Sequence, residues 1–226
     1  MTGIVQSMTT FKPVSVTQTP ALYIDANNSS SYPGTGTTIT DVSGNGYTQT
    51  LSNAAAYTVL NGVKCFDCSG IYFIRGAVAT PTLSSSGFTY ICWAKMISSS
   101  VNWRTLFRTT PNDHPLLIEI GSNTLGMYDN DTNLFYSAGY DVASLANIWV
   151  QWAVSGSSSG QTFYINGIKV GTTVQTTAGN NHDWTGGVGN PNSQSFGYIA
   201  NFQLYSSLLP QQVIQQLYSN TRYIFS

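Results

Sequence analysis

The stretch from Phe196 to Tyr218 constrains the fold of this chain more than any other. Its first part alternates with the period of a strand. Phe196, Tyr198, Ala200, Phe202 and Leu204 fall on one face, and Gly197, Ile199, Asn201, Gln203 and Tyr205 on the other. The period then changes. Leu209, Val213, Ile214, Leu217 and Tyr218 recur at helical spacing, and Pro210 suits a first helical position. The pattern predicts a helix over 210–219. That segment lacks Glu and Lys, and Leu209 is a poor N-cap, so the helix must be held by docking its apolar stripe.

The rest of the chain reads as short strands. They are expected near 57–60, 63–67, 71–74, 87–97, 104–109, 116–120, 124–128, 133–137, 148–155, 161–166, 168–174 and 196–205. Phe88, Tyr90, Cys92, Ala94 and Met96 share one face of the 88–96 segment, and Val150, Trp152 and Val154 one face of 148–154. Asn166-Gly167 between two alternating runs predicts a two-residue type I′ hairpin, since both residues tolerate positive φ. Apolar content of 42% suffices to bury a full core in one domain. Residues 1–18 read as an N-terminal arm and 19–226 as an all-β sandwich with one short C-terminal α-helix.

Charge is scarce: 8% of residues, against about 25% in an average soluble domain. With a net charge of -1 and no Lys/Arg run, nucleic acid is excluded as a partner. No segment approaches the roughly 20 apolar residues of a membrane span, so no membrane insertion is expected. The start, Met1 to Thr10, lacks the basic and apolar regions of a signal peptide. Three cysteines, Cys65, Cys68 and Cys92, are too few and odd in number for a disulfide framework. Cys65 and Cys68 would point to opposite faces of a strand, so buried free thiols are the better reading than a metal or redox pair.

Four segments, in order, resemble the concanavalin A-like lectin/glucanase jelly roll in its laminin-G-like or pentraxin-like form. Asp41-Val-Ser-Gly-Asn-Gly46 resembles an early D-x-S-G-N-G turn. Phe88-Thr-Tyr-Ile-Cys-Trp-Ala-Lys95 resembles F-T-I-x-x-W-x-K. Trp149-Val-Gln-Trp-Ala153, followed by Thr162 to Gly171, resembles W-x-H-V-A and L-Y-V-N-G-x-x-V-G. Phe196 to Tyr218 resembles the closing strand and helix. The apolar and glycine positions are kept, whereas charged signature positions are neutral: Gln151, Ala200, Asn201, Gln203 and Gln212. The resemblance implies a concanavalin A-like β-sandwich. It also implies calcium as the one cofactor to consider, through Asp41 and Asn45, with Asp129 and Asp131 as a second pair. Satisfaction of turn amides is the favoured alternative for Asp41 and Asn45.

Catalysis is disfavoured. Glycan cleavage needs paired carboxylates, about 5–5.5 Å or 6.5–9.5 Å apart. The one Glu, Glu119, has Leu117 and Gly121 as its same-face neighbours. His114 and His182 both sit in polar, loop-like contexts. Ligand-binding candidates fall in two loops: Tyr128, Asp129, Asn130 and Asp131, and Asn181, Asp183 and Trp184. Each offers a ring with amide and carboxylate groups, which suits sugars and protein interfaces alike.

Three functional readings follow. The leading expectation is a non-enzymatic structural or surface component of a large assembly, a virion above all (a minor capsid or surface protein), with other subunits as partners. It rests on the low charge, the arm and the neutral signature positions, and implies a virion or extracellular location. The alternative is a glycan-binding adhesion module. A glycan-cleaving enzyme is the disfavoured third.

Overall fold

In the computed structural model, which describes residues 18–76, 79–98, 102–110, 113–187 and 194–226, the alternating segments become strands of two sheets. The arm expected over 1–18 lies, apart from Gln18, outside the described residues. In chain order the strands are β1 (Leu22–Asp25), β2 (Thr38–Ile39), β3 (Gln49–Leu51), β4 (Tyr57–Leu60), β5 (Val63–Cys68), β6 (Ile74–Gly76), β7 (Phe88–Met96) and β8 (Arg104–Thr110). They continue with β9 (His114–Ile118), β10 (Thr124–Asp129), β11 (Leu134–Asp141), β12 (Trp149–Ser157), β13 (Gly160–Ile165), β14 (Ile168–Thr173), β15 (Asn181–Thr185) and β16 (Gly197–Tyr205). Helix α1 (Gln211–Thr221) closes the chain.

The first sheet runs β14-β13-β12-β7-β16-β5-β4, and β1 also pairs with β16. The second runs β11-β10-β9-β8-β15-β6-β3-β2. The paired strands are antiparallel, which makes this a β-sandwich of the concanavalin A-like jelly-roll type with one short C-terminal helix. The inward rows fill the space between the sheets: Phe88, Tyr90, Cys92, Ala94 and Met96 from β7, and Val150, Trp152 and Val154 from β12. Their counterparts include Leu106, Phe107, Leu116, Ile118, Leu125 and Met127 of the second sheet. Burying each large apolar side chain contributes roughly 1.5–3 kcal/mol.

The strict alternation expected along the closing strand is broken. Ile199 pairs with Ala94 but Asn201 with Trp93, so Ala200 is an extra, bulged residue. Ile199, Phe202 and Leu204 therefore all face the inter-sheet core, while Tyr198 and Ala200 face outward. The bulge also divides one edge of β16 between two partners: β5 pairs at Gly197–Ile199 and β1 at Asn201–Leu204.

The helix docks on the outer face of the first sheet. Leu209, Val213 and Ile214 pack with Ile91, Ala153, Tyr164 and Tyr205. Pro210 provides no side-chain cap, and its carbonyl instead accepts from Val213 and Ile214 N–H at 2.9 and 3.3 Å. The Asn166-Gly167 hairpin is as expected, with φ of 51° and 78°. Its tip lies under the helix: a Cβ on Gly167 would sit 2.7 Å from Gln215 Cα.

Three expectations need correction. The segment expected as a strand at 71–74 forms one at Ile74–Gly76. The short strands β2, at the edge of the second sheet, and β3 beside it were not anticipated. Most consequentially, residues 181–185 are strand β15, wedged between β8 and β6, and not a polar loop. Cys65 faces the outer aromatic cluster and Cys68 the inter-sheet core, as a strand requires. All three thiols are free and buried. Burial, with Asp67 nearby, pushes the Cys65 thiol up to about 12, and burial raises Cys68 and Cys92 as well.

Candidate functional site

The two segments singled out in the sequence, the turn after β10 and strand β15, meet at one end of the second sheet. Asp129 ends β10, and its Oδ1 accepts from the N–H groups of Asp131 and Thr132 at 2.8 and 3.1 Å. Its Oδ2 accepts from Gln175 Nε2 at 2.7 Å. Burial alone would raise the Asp129 carboxyl, but these hydrogen bonds from Gln175, Thr132 and Asp131 outweigh it and hold it below its usual value. Asp113, a residue the sequence did not single out, joins the two loops. Its Oδ1 accepts from Asn130 N–H at 2.9 Å and its Oδ2 from Asn180 Nδ2 at 2.8 Å. Burial raises the Asp113 carboxyl. Asp113 and Asp129 are thus shifted apart as an acid and base would be, yet all four oxygens are engaged in fastening loops.

The β15 residues are similarly committed. Asn181 Oδ1 accepts from Thr82 Oγ1 at 2.6 Å. Asp183 bridges Arg75 Nε at 3.3 Å and Thr110 Oγ1 at 3.1 Å. Trp184 is not an open sugar platform. Phe73 stacks on it at 4.5 Å and 12°, and the guanidiniums of Arg75 and Arg108 lie 5.4 and 5.2 Å from its centroid. Tyr128 meets Trp103 and His114 edge-on at 5.5 and 6.1 Å. This rim is a polar network that holds the sheet end together.

The early turn gives an equally direct answer about calcium. A carboxylate offers about four acceptor positions. Asp41 Oδ1 accepts from Tyr23 and Ser43 N–H at 3.0 and 2.9 Å, and Oδ2 from Ser43 Oγ and Tyr47 N–H at 2.8 and 3.0 Å. Asn45 turns its amide N–H inward to Ala21 O at 3.0 Å. These residues do not fit a cation that needs six to eight free oxygens. Among the described residues no group of three or more His, Cys, Asp or Glu is arranged to hold a metal.

A better-formed site lies on the outer face of the first sheet. Strand alternation turns Trp93 of β7 and Trp149 of β12 outward, and Trp149 pairs across the ladder with Lys95. The last turn of α1 and the residues after it fold over them. Phe225 stacks on Trp93 at 4.2 Å and 15°, with Tyr218 at 5.7 Å and 22°. Trp93 Nε1 donates to Thr221 Oγ1 at 2.8 Å, which locks that ring. Beside it opens a cleft of about 440 Å³ walled by Trp93, Trp149, Tyr218, Tyr223 and Phe225, with Asn166 and Arg222 at its margin. Trp149 Nε1 is buried and has no acceptor among the described residues. Gln151, the neutral residue at a signature position, is hydrogen-bonded through its backbone to Asn166 at 2.9 Å in both directions. Its Oε1 too lacks a donor among the described residues. Sequence reading recognised both tryptophans as strand positions but not as one wall, because Tyr218 to Phe225 come together with them only through helix docking.

A laminin-G family model, described as the Concanavalin A-like lectin/glucanases superfamily, matches residues 75–215. The chain belongs to that superfamily. No curated protein sequence matches it. Among solved structures, Trypanosoma rangeli sialidase is similar with a TM-score of 0.63 at 13% identity, over 91% of this chain and 33% of that one. The receptor binding domain of botulinum neurotoxin C/D mosaic serotype is similar with a TM-score of 0.62 at 15% identity, over 89% and 51%. The ligand binding domain of botulinum neurotoxin serotype D, solved in complex with N-acetylneuraminic acid, has a TM-score of 0.60 at 16% identity, over 89% and 51%. The chain spans between a third and about half of these chains, and at such identities the likeness is one of fold.

These findings overturn the leading sequence expectation. The similar structures are sialidases and a toxin's binding domain, and the virion or capsid reading finds no support in them. The glycan-binding alternative is the better supported. The superfamily includes enzymes and lectins, so fold alone leaves catalysis open. Among the described residues no helix is long and apolar enough to cross a membrane.

Proposed function

We propose that this chain is a non-catalytic glycan-binding module that seats a sugar in the Trp149 cleft. The observation that carries the proposal is the open cleft whose wall is built from five aromatic side chains, Trp93, Trp149, Tyr218, Tyr223 and Phe225. A sugar ring supplies both complements: an apolar C–H face for the aromatic wall and hydroxyl groups for the polar side chains of Asn166 and Arg222 that also line the cleft. The sialic acid named in the serotype D structure shows that a relative of this fold has been solved with a sugar bound.

The carboxylates support a non-catalytic role. Glu119 Oε2 accepts from Ser122 Oγ at 2.6 Å at a strand end, and the Asp113 and Asp129 oxygens are committed to loop amides. Binding to an array of immobilised glycans tests the reading. Trp149→Ala is expected to weaken the best sugar at least tenfold, whereas Asp131→Ala, away from the cleft, is expected to leave it unchanged. No reducing sugar should be released from the bound glycan. A wild-type protein that binds no glycan at high concentration would sink the proposal.

A further inference from the structure

The Trp149 cleft is one of two that flank the same hairpin tip. On the other side of Asn166 lies a second cleft of about 530 Å³, lined by Tyr140, Leu145, Ile165, Ile168, Lys169 and Val170. Asn166 lines both. Its Oδ1 is fixed by the Gln151 N–H, so the shared residue is held in place by the sheet beneath it. Each volume falls within the roughly 300–1,000 Å³ of small-ligand pockets. The surface around the tip is apolar where it is exposed: Ile168 is 60% and Ile148 49% accessible.

Charge adds a second, independent observation. The whole chain has only eight Lys and Arg residues. Two of them line these clefts, Arg222 the first and Lys169 the second, and a third, Lys95, is the ladder partner of Trp149. None of the three makes an ion pair among the described residues; Arg222 lies over the Tyr218 ring at 6.0 Å. Asp141, next to Tyr140, and Asp67, across β16 from Lys95, are turned to their own backbone. Asp141 Oδ1 accepts from Ala143 N–H at 2.7 Å, and Asp67 Oδ1 from Ser69 N–H at 2.9 Å. A chain this poor in charge has placed unpaired cations on both sides of one hairpin tip.

We infer that the two clefts form one continuous site for an anionic oligosaccharide of at least two residues, with one unit against Trp149 and Arg222 and the next across Asn166 against Tyr140 and Lys169. This rests on the glycan-binding reading above and specifies its ligand. Carboxylated and sulfated glycans share the required chemistry, a negative group on an otherwise amphipathic ring. A site with two subsites gains affinity with chain length, and one with unpaired cations gains it with ligand charge, more at low salt than at high.

The test is calorimetric titration of the full chain with mono-, di- and tetrasaccharides in neutral, carboxylated and sulfated forms, at low and high salt. The anionic tetrasaccharide is expected to bind at least tenfold tighter than both its monosaccharide unit and the neutral tetrasaccharide, with the advantage shrinking as salt rises. Lys169→Glu should bring the tetrasaccharide down to the affinity of the monosaccharide. Lys64→Gln, an exposed cation elsewhere, serves as the charge control and should change nothing. The carboxylated and sulfated arms identify which anion is preferred. Affinity that ignores length or charge, or a Lys169→Glu protein that keeps the length gain, overturns the inference while leaving a single neutral-sugar site at Trp149 intact. Absence of binding to every sugar overturns both readings together.

Discussion

Tyr90 and His182 show how one residue pair ties the two sheets. Both are fully buried, Tyr90 on β7 and His182 on β15. Tyr90 Oη lies 3.0 Å from His182 Nδ1, a hydrogen bond across the core. Burial pulls the imidazole down to about 3, so it is neutral at ordinary pH. A neutral ring has one donor and one acceptor nitrogen, and Nε2 has no partner among the described residues. The Tyr90 contact is therefore the one hydrogen bond that offsets desolvation of this ring. Tyr90→Phe keeps the stacking on Phe107 at 4.2 Å but strands Nδ1. It is expected to cost about 1–3 kcal/mol of stability, read as a lower urea midpoint at unchanged slope. A midpoint equal to wild type would show that the pair carries no weight.

At the scale of elements, what sequence revealed and what it concealed have the same cause. Period-2 alternation fixed β7 and β12, because both are central strands whose two faces meet very different surroundings: core on one side, helix and aromatic cluster on the other. Asn166-Gly167 was legible because its turn depends on local backbone geometry alone. The bulge at Ala200 was not, since nothing local distinguishes one extra residue in an alternating run; only the register against Trp93 and Ala94 does. β15 was concealed because Asn181, Asp183 and Trp184 face a polar rim, and His182 points into the core on polar chemistry of its own. The candidate site followed the same rule. Asp113 and Asn180 link loops that are distant in sequence, and the Trp149 cleft exists only once α1 docks. That docking yields a prediction. Gly167 has φ of 78° and faces Gln215 of α1. Gly167→Ala combines left-handed strain with a collision, so about 1–3 kcal/mol of destabilisation is expected. Because the tip also borders both clefts, the same variant should weaken glycan binding; thermal unfolding and titration check the two effects separately.

For the molecule as a whole, two buried histidines set the response to acid. His182 sits in the core beside Tyr90 and Phe202; His114 sits beside Thr105, Tyr128 and Arg108. Burial, aided for His114 by Arg108, lowers both from the usual 6.5 to about 3. In the unfolded chain both regain ordinary values. Between pH 6.5 and 3 the unfolded state therefore binds more protons than the folded one, and stability falls as pH falls. Above the unfolded value the full contribution is present. Below it, each histidine removes about 1.4 kcal/mol per pH unit, or roughly 2.7 kcal/mol for the pair. The buried carboxylates act lower and in opposite senses. Asp129, held below its usual value, adds to the loss as pH falls through the carboxylate range, and Asp113, raised by burial, partly offsets it. The window from pH 6 to 5 thus belongs to the histidines. Urea midpoints measured at pH 7, 6 and 5 should decline steadily through it. His182→Gln should lower stability at pH 7 and halve the slope below it, because one proton-uptake site is removed from the unfolded chain. A midpoint that is flat from pH 7 to 5 would mean that neither imidazole is held neutral by the fold.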